Sequence, residues 1–82
     1  MLNKDELKNY RLLRGVTQEE VARNSDISKS TVMKMESGAT DIDKEKHTQY
    51  CKGVNKAYKE KKYGKLTQAI KTAKKKTEND NQ

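Results

Sequence analysis

Between positions 28 and 34 the chain sets Ser28, Lys29, Ser30, Thr31 and Lys34 close together with no carboxylate among them. On a helix, Lys29, Ser30, Thr31 and Lys34 fall at exposed positions. Such side chains donate and accept hydrogen bonds at the edges of nucleic-acid bases, and a lysine can donate to the O6 and N7 acceptors of guanine. The other reactive groups are isolated. With one His and one Cys there is no metal-ligand set, no internal disulfide and no plausible triad, and no glycine-rich phosphate loop is present. No catalytic residue, metal or cofactor is expected, and no small-molecule ligand, because so short a chain cannot enclose a substrate pocket. His47 and Cys51 read as packing residues.

The elements that must position residues 28–34 follow from apolar spacing and capping signals. Leu2, Leu7, Tyr10 and Leu13 recur at helical spacing, with Asp5 and Glu6 in the first turn, Arg14 in the last and Gly15 after it, predicting a helix over about 3–14. Thr17 three residues before Glu20 is a capping box opening a second helix, closed after two turns by Asn24-Ser25-Asp26. Ser28 caps a third helix with Val32 and Met35 inward and Gly38 at its end. Ala22 is small where the third helix crosses the second, and Val21, Ile27, Val32 and Met35 form the wedge between them. Asp41 or Asp43 caps a fourth helix carrying His47, Tyr50, Cys51 and Val54, whose end Gly53 and Asn55 are expected to loosen.

The composition by itself argues against a core. Leu, Ile, Val and Phe make up about 15% of the 82 residues and the net charge is +7, a combination typical of disordered chains. The charge is uneven, however. Residues 56–82 hold nine lysines against three acids, while the periodic apolar residues lie before Tyr58. The expected division is a helical domain over 1–63 and, over 64–82, a basic helix with a narrow stripe of Leu66, Ala69, Ile70 and Ala73, followed by a disordered tail. Those lysines could follow a phosphate backbone and the stripe could pair two copies of the chain. No apolar run approaches the roughly 20 residues of a membrane span, and no signal-peptide core follows Met1. A cytoplasmic, nucleoid-associated protein is expected.

Residues 17–38 carry a resemblance. Thr17-Gln18, Val21-Ala22, Ile27-Ser28, Val32 and Glu36-Ser37-Gly38 match in register and without a gap the helix-turn-helix pattern of the lambda-repressor-like Cro/C1 (XRE) transcriptional regulators. The resemblance implies an all-α bundle of four to six short helices with the third in the DNA major groove. It implies phosphate bracing by Gln18, base reading by Lys29, Ser30 and Lys34, flanking contacts by Ser28 and Thr31, and a buried ion pair between Arg11 and Glu36. The partner implied is double-stranded operator DNA, bound by a homodimer on a palindrome in the manner of a Cro-like repressor. The competing reading is a protein-interaction module on the same scaffold, such as an antitoxin-like or phage anti-repressor protein, because the motif is nearly neutral and the basic charge lies in the tail.

The chain departs from the family at several points. Asp26 stands where the family often has Gly in the turn, and is expected to tolerate a left-handed backbone there. His47 replaces a usual Leu, Cys51 a usual Ala, and Tyr50 fills a large apolar slot with its hydroxyl expected at the surface.

Overall fold

The computed structural model describes the backbone of residues 1–80 and the side chains of residues 1–64. Four helices follow in order: α1 Lys4–Leu13, α2 Gln18–Arg23, α3 Lys29–Ser37 and α4 Lys44–Asp80. No strand occurs among the described residues. Over residues 64–80, where a basic helix followed by a disordered tail is expected, the described backbone is helical throughout as part of α4, and the stripe from Leu66 to Ala73 lies outside the residues whose side chains are described.

Each start is fixed by a side chain that satisfies an otherwise unpaired backbone N–H. Asn3 Oδ1 accepts from the Glu6 N–H at 2.9 Å while the Asn3 N–H donates to Glu6 Oε1 at 3.0 Å. Thr17 and Glu20 repeat this capping box for α2. Ser28 Oγ accepts from the Thr31 N–H to open α3, and Asp43 Oδ1 accepts from the Lys46 N–H at 2.8 Å to open α4. Gly15 (φ 65°) and Gly38 (φ 82°) take the left-handed conformation that ends α1 and α3 at little cost for glycine. Asp26 does not share it, since among the described residues only glycines have positive φ. The α2–α3 turn is held instead from outside, the Asp26 N–H donating to Gln49 Oε1 of α4 at 3.1 Å.

Among the described residues, eight side chains form the core: Leu7, Val16, Val21, Val32, Met35, Tyr50, Val54 and Ala57. Leu13, expected in the apolar stripe of α1, is 84% exposed. At about 100° per residue it lies roughly 240° around the helix from Leu7, whereas Arg11 lies only about 40° from it and takes the inward place. Ile27 and Ala22 are partly buried against the same core.

Gly53 and Asn55 do not end α4. A Cβ on Gly53 would stand 2.5 Å from the Val21 carbonyl oxygen, so glycine here admits the backbone of α2 rather than loosening α4. Further along, Lys61 Nζ donates to the Gly15 carbonyl at 2.5 Å and pairs with Glu20 at 2.7 Å, strapping α4 to the α1–α2 turn. At the other end the Leu2 N–H donates to His47 Nε2 at 3.0 Å, giving His47 a packing and tethering role.

Candidate nucleic-acid interface

A buried polar cluster joins all four helices behind α3. Arg11 Nε and Nη2 donate to Glu36 Oε2 and Oε1, each at 2.8 Å, with the two side chains 8% and 4% exposed. Arg11 Nη1 reaches the Val16 carbonyl at 2.9 Å, Gln18 Nε2 donates to Glu36 Oε1 at 3.2 Å, and the Tyr50 hydroxyl donates to Glu36 Oε2 at 2.6 Å. The Leu7 carbonyl oxygen lies 3.1 Å from the same hydroxyl. Tyr50 is wholly buried, so its hydroxyl is not at the surface as its amphipathic character suggested; the Glu36 carboxylate gives it an internal partner. Burial pushes the Glu36 carboxyl up, but donation from Arg11, Tyr50 and Gln18 outweighs this and holds it below its ordinary value. Hydrogen bonding to Glu36 holds Arg11 above its own, and burial pushes the Tyr50 hydroxyl up. The result is a charged pair that locks the C-terminal half of α3 against α1, α2 and α4.

With Val32, Met35 and Glu36 turned inward, α3 presents Lys29, Met33, Ser37, Ser30 and Lys34 over an outward arc of roughly 140°. These five line one shallow concave surface. Ser28 and Thr31 are not part of it. The Ser28 hydroxyl caps α3 and lies 3.0 Å from Thr31 Oγ1, and both residues line a separate groove with Asp26, Asp43 and Glu45. Gln18 sits at the start of α2 but its amide is turned back to Glu36. Lys29 is paired with Glu19 of α2 at 3.0 Å.

An arc that carries two lysines and two serines and no acid, on a nine-residue helix braced from behind, is a surface suited to a polyanion with hydrogen-bonding edges. A family model described as helix-turn-helix matches residues 7–52, more than half of the chain. The chain belongs to the Cro/C1-type helix-turn-helix family. The matched stretch runs from Leu7 of α1 to Lys52 of α4 and so includes the buried cluster and the whole α3 arc. No curated protein and no solved structure matches the chain. As a Cro/C1-type protein it is a DNA-binding regulator, in which α2 and α3 form the helix-turn-helix unit.

Three contributors to this surface escape a reading of sequence alone. Met33 and Ser37 follow Lys29 at the i+4 and i+8 positions, a spacing that puts them on one face, yet neither carries the charge that draws attention to a DNA-facing residue. Glu19 meets Lys29 across the α2–α3 turn, ten positions away, which no local pattern reveals. No helix among the described residues is long and apolar enough to cross a membrane. Burial holds the Cys51 thiol above its ordinary value, opposite to what a nucleophilic cysteine needs.

Proposed function

We propose that this helix-turn-helix protein is a cytoplasmic, sequence-specific transcriptional regulator, a Cro-like repressor that acts by occupying a palindromic operator as a homodimer. The observation that carries the reading is the acid-free outward arc of α3, held by the buried Arg11–Glu36 pair. In it Lys29, Ser30 and Lys34 read base edges, with guanine the preferred partner of a lysine. Ser28 and Thr31 contribute flanking contacts, and Gln18 exchanges Glu36 for a phosphate oxygen when DNA arrives. Two copies are needed because one nine-residue helix reads too few base pairs to compete with a genome of non-specific sites. The lysines of residues 64–82 follow the phosphate backbone, so truncation after Tyr63 should flatten the salt dependence of binding. No catalytic step, cofactor or small-molecule ligand enters this reading.

Selection of duplexes from a random pool at near-physiological salt tests it. The expected product is a palindrome with half-sites about 10 base pairs apart, or a multiple of that. Lys34→Ala should then lose about 1–3 kcal/mol of discrimination at one base pair; equal weakening on every sequence would leave Lys34 only a phosphate contact. The protein-interaction reading draws on the near-neutral motif and, in the structure, on the adjacent exposed side chains of Leu12 (53%) and Leu13 (84%) at the end of α1. A pool that yields no consensus would favour it.

A further inference from the structure

Met33 is the one large apolar side chain of α3 left exposed among the described residues, at 50%, while Val32 and Met35 are fully buried. Its position on the helix is inside the outward arc, between Lys29 and Ser37. It lines the same concave surface as Lys29, Ser30, Lys34 and Ser37. The core therefore does not account for an apolar residue at this place, and the neighbouring side chains are all polar.

The major groove offers such a residue one matching group. Guanine, cytosine and adenine present donors and acceptors there, whereas thymine adds an apolar C5 methyl. A methionine suits the contact because its unbranched, polarizable chain adapts to an irregular apolar surface. We propose that Met33 is a specificity-determining residue that reads a thymine methyl group. The inference rests on the proposed function, since it needs α3 in the major groove. Met33 is four residues from Lys29, about 6 Å along the helix axis, so the thymine lies within about two base pairs of the base that Lys29 contacts.

The test uses the full chain and a consensus duplex recovered from a random pool. Each thymine is replaced in turn by deoxyuridine, which removes the methyl and leaves the hydrogen-bonding edge unchanged. At one position in each half-site, wild-type binding should weaken about fourfold, the factor that corresponds to ~0.8 kcal/mol for one buried methyl-sized group. Met33→Ala should bind the thymine and uracil duplexes equally, and so should Met33→Gln, which keeps the length and helix preference of methionine. Met33→Leu should keep the difference. Thermal melts by circular dichroism check that the variants remain folded. Uniform indifference of the wild type to every replacement, or an unchanged difference in Met33→Ala and Met33→Gln, overturns the assignment while leaving the regulator reading intact. A pool without any consensus overturns both.

Discussion

The Val21 carbonyl oxygen of α2 lies directly against Gly53 of α4: a Cβ on Gly53 would stand 2.5 Å from that oxygen, 3.1 Å from Val21 Cγ1 and 3.2 Å from Ser25 Cβ. The oxygen is also held by the Ser25 hydroxyl at 2.7 Å, so it cannot give way without losing a hydrogen bond. The close approach of α2 to α4 thus depends on a glycine within a continuous helix.

Gly53→Ala should destabilise the protein by about 1–3 kcal/mol, although alanine is the better helix former, because the added methyl forces α2 off α4. Gly64→Ala, in the same helix with open space around it, should instead stabilise by up to about 1 kcal/mol. Urea denaturation of the two variants checks the opposite signs; stabilisation by both would mean that helix propensity alone decides.

Glu36→Ala leaves the Arg11 guanidinium buried without its counter-charge and removes the acceptor of Tyr50 and Gln18. The expected loss is about 3–5 kcal/mol in urea unfolding. A loss below about 1 kcal/mol would be that of a solvated surface pair and would contradict the burial of both side chains.

Acid should weaken the fold with a definite sign. The folded Glu36 carboxyl lies below its ordinary value of 4.5, so as pH falls below that value the unfolded chain takes up a proton before the folded one does. Stability from this group is complete above about pH 5 and is lost as the solution is acidified toward its folded value. Glu20, held down chiefly by Lys61, and Asp43, held down chiefly by the Lys46 N–H, act in the same direction, Asp43 with small weight because it is solvated. Urea midpoints measured from neutral pH downward should be level and then fall, and Glu36→Gln should flatten the fall.

Glu19 places a negative charge 3.0 Å from Lys29 Nζ at the edge of the α3 surface. The pair is exposed and contributes little to stability, so its effect should appear in DNA binding. Glu19→Gln should tighten binding to all duplexes and steepen the log–log salt dependence by about one ion, since Lys29 is released to the phosphates or bases. Fluorescence anisotropy on specific and random duplexes between low and physiological salt measures both; unchanged slopes would show that Lys29 leaves Glu19 without consequence.

Local chemistry determined much of this protein in advance. The caps Thr17, Ser28 and Asp43 act within three residues of themselves, and the apolar spacing of Val32 and Met35 turns one face of α3 inward wherever the helix forms. These signals also carried the in-register match from Thr17 to Gly38 and hence the arc of Lys29, Ser30 and Lys34. Contacts between segments far apart in the chain were decided only in three dimensions. Gly53 reads as a breaker until the Val21 carbonyl is beside it, and Tyr50 as a surface-seeking hydroxyl until Glu36 receives it. In each case a distant group supplied the partner. Helix propensity and hydropathy describe a residue in water or in an average interior, and neither contains the one hydrogen bond or the one backbone approach that reverses the preference.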